Sequence, residues 1–248
     1  MRKGRIFTGT VYWFCTFLVF AFVLAGCPSS TGGGGETGYP TSPTDPAPNT
    51  NTLVAFGDSL TYGTGAGTGD AAKENSFTKY LSQHINLNVV NAGKHGDTTA
   101  DAISRLSEVS GENPRIVLIE FGGNDYFQGG STQDVISQAK GNYITMIETL
   151  KNKNRKIFLL KFYTQEWFQR IEDQTYTDSK TVWDNMYAEI VKQYPDVGLV
   201  ENIWDGITSS HITDDYVHPN ADGYIIMGTN IFNSIKPYLL EQGLVKNL

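Results

Sequence analysis

Four polar residues, each placed where an apolar run gives way to glycines or turn formers, carry the chemistry this sequence could perform. Ser59 lies in Gly57-Asp58-Ser59-Leu60-Thr61-Tyr62-Gly63, directly after the apolar run Thr52-Leu53-Val54-Ala55-Phe56. A serine hydroxyl is a poor nucleophile at neutral pH and needs a base within reach, with a third group to orient that base. The chain has four histidines, and only His218 has an acid placed to hold it, in Asp215-Tyr216-Val217-His218-Pro219. In a tight loop that spacing lets the Asp215 carboxylate accept the Nδ1 proton and leaves Nε2 facing outward as the base. His84 falls on a helical stretch, and His95 and His211 fall in loops. Acyl transfer also needs donors aimed at the developing oxyanion. Gly93 to Asp97 and Gly122-Gly123-Asn124-Asp125, each following an apolar run, offer a close-approaching backbone amide at glycine and a side-chain amide at Asn124. Taken singly, Gly-Asp-Ser and the glycine stretches are also ordinary turn chemistry, and the Asp-His pair could be a helix-capping loop.

These residues need a scaffold, and the alternation of patterns provides one. Runs at Thr52–Phe56, Asn88–Asn91, Arg115–Phe121, Lys156–Phe162 and Val197–Val200 predict strands. Between them, helical spacing is present over Asn75–Ile85, after Thr98, and over Thr132–Leu150, Thr177–Tyr194 and Asn220–Leu240, with Pro219 expected at the first position of the last helix. Five strands alternating with helices predict an α/β fold whose parallel sheet is covered on both faces. Ligands of such sheets collect outside the carboxyl ends of the strands, where Ser59 is expected.

The order of the motifs is that of a known family. Gly57 to Leu60, Gly96-Asp97-Thr98, Gly123-Asn124-Asp125 and Asp215 to His218 resemble the serine, glycine, Gly-x-Asn-Asp and Asp-x-x-His blocks of the SGNH (GDSL) hydrolases. The resemblance runs from Leu53 to Leu240. It is nearest the thioesterase I, lysophospholipase and arylesterase branch, through Gly63-Thr64-Gly65-Ala66 and Asn91-Ala92-Gly93. It implies a flavodoxin-like three-layer α/β/α sandwich with a five-stranded parallel sheet, and a serine esterase that needs no cofactor and no metal. It further implies Ser59 as nucleophile, His218 as base and Asp215 as its orienter, with the Ser59 amide, the Gly96 amide and the Asn124 side chain forming the oxyanion hole. The G-x-S-x-G elbow of α/β-hydrolases is absent, because Thr61 stands where its second glycine belongs. Candidate substrate contacts are Asp58, His95, and Tyr163 and Trp167 from the aromatic stretch Tyr163 to Tyr176, which could equally be packing. A reading from another class is a tethered glycan- or lipid-binding protein. Retention of Ser59, Asn124, Asp215 and His218 together speaks against it.

The first fifty residues set the location. Arg2, Lys3 and Arg5 precede an apolar stretch from Ile6 to Leu24 and then Leu24-Ala25-Gly26-Cys27, the plan of a secretory signal. The site before Cys27 resembles a bacterial lipobox, which implies cleavage there, a lipid on the Cys27 sulfur and a membrane partner. The stretch is also about long enough to span a bilayer uncleaved. Either way the chain after residue 27 is expected outside the cytoplasm. Residues 28–51 are Ser, Thr, Gly and Pro with hardly a large apolar side chain, the composition of a flexible tether. Residues 52–248 suit one domain.

Charge narrows the partners. The formal charge of −7, from 19 basic and 26 acidic residues, becomes −10 without the three basic residues of the signal. A chain this acidic is a poor partner for nucleic acid. Of the two cysteines, Cys15 leaves with the signal and Cys27 would be lipidated, so no disulfide is expected.

Overall fold

The computed structural model describes residues 49–152, 154–164, 166–167, 169 and 176–247. The expected signal, Cys27 and nearly all of the expected tether lie outside them, as does Phe168 of the aromatic stretch. The described residues all fall within one compact unit, Asp45–Leu248.

Five strands form one parallel sheet: β1 (Asn49–Gly57), β2 (Asn88–Gly93), β3 (Pro114–Glu120), β4 (Lys156–Leu160) and β5 (Gly198–Val200), in the order β2-β1-β3-β4-β5. Leu53 to Phe56 on β1 and Ile116 to Ile119 on β3 are all fully buried. Successive side chains of a strand point to opposite faces, so continuous burial means both faces of the sheet are covered. β1 begins at Asn49, three residues before the expected domain start at Thr52. Its first residue pairs with Pro114, because backbone pairing does not require apolar side chains.

Helices supply the outer layers. These are α1 (Ser59–Tyr62), α2 (Asp70–Glu74), α3 (Phe77–His84), α4 (Thr99–Ser104), α5 (Leu106–Glu112), α6 (Gly123–Gly129), α7 (Gln133–Leu150), α8 (Tyr176–Gln193) and α9 (Ala221–Glu241). α3 packs on α9, whereas α7 packs on α4, α5 and α8. Right-handed crossovers place those two groups on opposite faces, which gives the three-layer flavodoxin-like sandwich. The helix starts follow cap chemistry. Ser76, Thr98, Thr132 and Asn220 each accept a backbone N–H of the first turn, and Thr98 with Asp101 forms a reciprocal capping box. Pro219 is not the first residue of α9 as expected. Asn220 takes the cap, and Pro219 sits one residue earlier in an antiparallel bridge to Ile212, since an Asn side chain can accept a helix N–H and a Pro ring cannot.

The sheet order reverses between β1 and β3, and that reversal places the site. Chains leaving those two strands diverge, opening a crevice outside their carboxyl ends. The carbonyls at the strand exits are satisfied by aromatic side chains, with Tyr143 Oη donating to Phe121 O at 2.7 Å and Trp204 Nε1 donating to Phe162 O at 2.8 Å.

Candidate active site

Ser59 is the first residue of α1, two residues beyond the end of β1 at Gly57. Asp58 caps that turn by accepting the Leu60 N–H at 3.0 Å, and Gly63 closes it in the left-handed region at φ 98°. Gly57 must be glycine, because a Cβ there would fall 1.9 Å from Thr61 Oγ1 and 2.6 Å from the Glu120 carbonyl oxygen. The serine is thus fixed by a crowded strand-to-helix turn.

Facing it is the turn before α9. Asp215 Oδ1 accepts from Thr213 Oγ1 at 2.8 Å, Val217 N–H at 2.8 Å and His218 N–H at 2.9 Å. Its other oxygen lies 2.7 Å from His218 Nδ1. A carboxylate only accepts, so Nδ1 carries the hydrogen and Nε2 is the acceptor. Nε2 lies 2.8 Å from Ser59 Oγ. Tyr216, between the two, is held at φ 62°, a conformation seldom adopted by a bulky residue and tolerated because its neighbours clamp the turn. Burial pushes the Asp215 carboxyl up, but the hydrogen bonds from the His218 backbone, the His218 ring and Val217 outweigh it and bring the value down to about 2. Gly65 completes the approach. At φ 97°, its Cβ position lies 2.4 Å from Pro219 O and 3.2 Å from His218 Cβ, so only glycine lets the loop after α1 rest against the histidine turn.

Asn124 comes from the second turn at the crevice, on the first turn of α6 after β3. Its Nδ2 donates to Asp97 O at 2.8 Å and to Asp58 Oδ2 at 3.3 Å. The first bond holds the amide; the second is long, and its hydrogen is the one an oxyanion can take over. Asp97 is itself fixed by Arg105, whose Nε donates to its Oδ2 at 2.6 Å. Arg105 Nη2 reaches Gly57 O at 3.3 Å, so one buried guanidinium ties the β1 exit to the β2 loop.

A cavity of about 190 Å³ opens over these groups. Ser59, His218, Asp215, Asn124 and His95 line it together with Phe127, Phe162, Trp167 and Val217. His95 is exposed, with Nδ1 3.1 Å from Thr64 Oγ1 and its ring centroid 6.0 Å from that of His218. Two expected contacts, Tyr163 and Gly96, sit differently. Tyr163 is fully buried, packed between Phe162 and Trp183, with its hydroxyl donating to Asp184 Oδ1 at 2.9 Å. It is a core residue, turned inward because its ring extends the aromatic cluster under β4. Asp58 lines the cavity from its floor, buried, with both oxygens accepting hydrogen bonds from the protein. Gly96 is exposed at φ 84° and does not line the cavity; it lies between His95, which does, and Asp97, which holds Asn124. Among the described residues no group of three or more His, Cys, Asp or Glu could hold a metal ion.

The apolar walls Phe127, Phe162 and Val217 were not singled out from the sequence. Phe127 had a signal, since it lies one helical turn beyond Gly123-Asn124 and falls on the same face once α6 is recognised.

Comparison with known proteins decides the family. The model of the GDSL-like Lipase/Acylhydrolase family matches residues 55–226. The chain belongs to that family. This GDSL hydrolase is 25% identical over 197 residues to Esterase TesA of Pseudomonas aeruginosa, which covers 76% of this chain and 89% of that one. It is 25% identical over 190 residues to Thioesterase 1/protease 1/lysophospholipase L1 of Escherichia coli K12, 75% of this chain and 84% of that one. In fold it is similar to the psychrotrophic esterase EstA from Pseudoalteromonas sp., solved inhibited by monoethylphosphonate. There the TM-score is 0.60 at 22% identity, covering 77% of this chain and 99% of the other. As a GDSL hydrolase it is a serine ester hydrolase of the esterase, thioesterase and lysophospholipase group.

Proposed function

We propose that this GDSL hydrolase cleaves carboxylic esters of short acyl groups, through a covalent acyl-enzyme on Ser59, from a lipid anchor on Cys27 outside the cytoplasm. The observation that carries the chemistry is the unbroken hydrogen-bond line Asp215–His218–Ser59, at 2.7 and 2.8 Å. His218 Nε2 takes the hydroxyl proton as Ser59 Oγ attacks the acyl carbon, and the carbonyl oxygen becomes the oxyanion. Asn124 Nδ2 and the Ser59 amide donate to it. The proton then passes from Nε2 to the leaving alcohol, and the C–O bond breaks. Water, deprotonated in turn by His218, hydrolyses the Ser59 ester and restores the enzyme.

Acyl length is read from space. A cavity of about 190 Å³ falls below the ~300 Å³ at which drug-sized ligands are held, and Phe127, Phe162, Trp167 and Val217 give it apolar walls. Acetyl to butyryl groups fit that size. The anchor is read from Leu24-Ala25-Gly26-Cys27 and the polar residues after it, which would keep the domain from cytoplasmic thioesters and present it to acylated glycans or lipids. His95, at the cavity edge, would meet the alcohol side of the ester.

The test is labelling with a fluorophosphonate, followed by kcat/KM over aryl esters from acetate to dodecanoate. Labelling of the native chain and none of Ser59→Ala is the expected result, with acetate or butyrate preferred. A labelled Ser59→Ala chain would displace Ser59 from the mechanism, and a preference for dodecanoate would replace the short-acyl reading with a lysophospholipase. For the anchor, Cys27→Ser should shift the protein out of the membrane fraction or leave it unprocessed.

A further inference from the structure

Beneath the Ser59 turn lie two carboxyl groups that no cation among the described residues pairs with. Asp58 is 2% exposed and Glu120 0%. Their strands are neighbours, with Gly57 in register with Glu120, and the Asp58 N–H donates to Glu120 O at 3.2 Å. Each carboxyl holds a different part of the site. Asp58 accepts from Leu60 N–H and from Asn124 Nδ2, while Glu120 Oε2 accepts from the Thr61 hydroxyl at 3.0 Å. Asp58 follows Gly57, the register partner of Glu120, so the two carboxyls leave neighbouring strand ends and act on each other. Two carboxyl groups can bond only if one carries a proton. Glu120 Oε1 is otherwise buried without a donor, an arrangement costly for a charged carboxylate and tolerable for a group sharing a proton.

Among the described residues the surroundings do not supply the missing positive charge. On the β2 side, Arg105 is engaged by Asp97, by Glu108 and by backbone carbonyls. From α6 comes another carboxyl, Asp125, taken up by Thr99 N–H and Oγ1. From α7, α8 and α9 come the phenols Tyr143, Tyr187 and Tyr224, all buried and all pushed up by burial, hence neutral. His218 lies across Ser59. Burial first, and then the charge of Glu120, raises the Asp58 carboxyl well above the usual carboxylate range. Burial likewise pushes Glu120 up to about 7.

We propose that Asp58 and Glu120 share one proton and act as positioning residues that keep Asn124 available to the oxyanion. With the proton held, the pair carries a single negative charge, and the long 3.3 Å bond from Asn124 Nδ2 to Asp58 yields readily to a developing oxyanion. With the proton lost, two negative charges lie under the oxyanion and grip the same amide hydrogen. The acyl step then slows on the alkaline side. This inference rests on the acyl-transfer reading of Ser59 and His218, whose own failure would show separately as absent fluorophosphonate labelling.

The experiment is the pH profile of kcat/KM for an aryl acetate in the native chain and in Glu120→Gln. Glutamine keeps the shape, accepts from Thr61 through its oxygen, donates to Asp58 through its nitrogen and cannot titrate. The native chain should lose activity above neutrality, and Glu120→Gln should retain activity within about tenfold at the optimum with its alkaline limb moved up by about one pH unit or more. An alkaline limb that is identical in the two proteins, or absent from the native chain, overturns the proposal. Infrared spectroscopy of the native chain tests it without any variant: a protonated-carboxyl carbonyl band is expected below neutrality and should fade above it, and its absence would equally overturn the proposal.

Discussion

The Thr61 hydroxyl donates at 3.0 Å to Glu120, so the helix that carries Ser59 is fastened to a carboxyl buried at the end of the neighbouring strand. Burial of that carboxyl makes folding stability depend on pH in an unusual direction. A free Glu releases its proton near 4.5, whereas burial raises Glu120 to about 7. Between those values the folded chain holds a proton that the unfolded chain has released, so stability falls as pH rises through that window. Other groups titrate there too, which makes the informative quantity the difference between the native chain and Glu120→Gln. Denaturant midpoints measured across the window should decline more steeply in the native chain. Parallel declines would show that Glu120 is ionised at the lower end already.

Asp215→Asn should leave the turn folded and still cost about 10⁴ in kcat. An amide at this position donates to Nδ1 and drives the ring hydrogen onto Nε2, where it faces Ser59 Oγ and blocks proton transfer. Because the native carboxyl is held at about 2, it stays ionised at any working pH. The acid limb of the native profile therefore does not come from Asp215. Steady-state kinetics with a thermal melt on the same sample checks both parts. A loss of stability that tracks the loss of activity would count against the tautomer argument.

Asn124→Ala removes one oxyanion donor and leaves Ser59, His218 and Asp215 in place, so kcat should drop by about 10² to 10³ with KM little changed. A change confined to KM would move Asn124 from the oxyanion to substrate binding.

The nucleophile turn, the Asp-x-x-His turn and the sheet were legible in the sequence because each depends on local chemistry: an apolar run, then residues that cap or turn. Strand β3 was legible as a strand but misread in one detail, since Arg115 to Phe121 looks uniformly apolar until Glu120 is noticed. A charge inside such a run is the one available signal for the buried pair. Nothing local marks its partner, because β1 and β3 are joined only by tertiary pairing, which sets Gly57 opposite Glu120. Tyr163 was left open between pocket and core for the complementary reason. Its aromatic neighbours suit a pocket or a core equally, and only the direction of the chain after β4 decides between them.

Arg105→Ala should be among the most damaging changes away from the reacting atoms. The pair with Asp97 is 2.6 Å long, with 9% and 6% of the two side chains exposed. Removing the guanidinium leaves buried Asp97 with only the exposed Lys94 at 3.7 Å, at a cost of up to about 3–5 kcal/mol. Asp97 O also holds Asn124, so activity at a temperature where the variant is still folded should fall as well. Unfolding curves paired with kinetics at low temperature separate the two effects.

Acyl length should respond to Phe127 more cleanly than to Trp167. Trp167 lines the cavity but is only 1% exposed and packs edge-on against Phe162. Truncating a buried Trp typically costs about 3–5 kcal/mol, so Trp167→Ala would confuse a wider pocket with a weaker fold. Phe127 lines the same cavity from α6, is 51% exposed and touches Trp167 with a ring separation of 5.5 Å. Its removal opens the rim at little cost to the core. Apolar pockets discriminate by about 1–3 kcal/mol per methylene, or roughly 10- to 200-fold, so relief of one blocked position is measurable. Phe127→Ala should raise kcat/KM for octanoate relative to acetate by about tenfold or more, with the melting temperature nearly unchanged. An unaltered chain-length profile would mean that the acyl group lies elsewhere and that the apolar wall faces the alcohol.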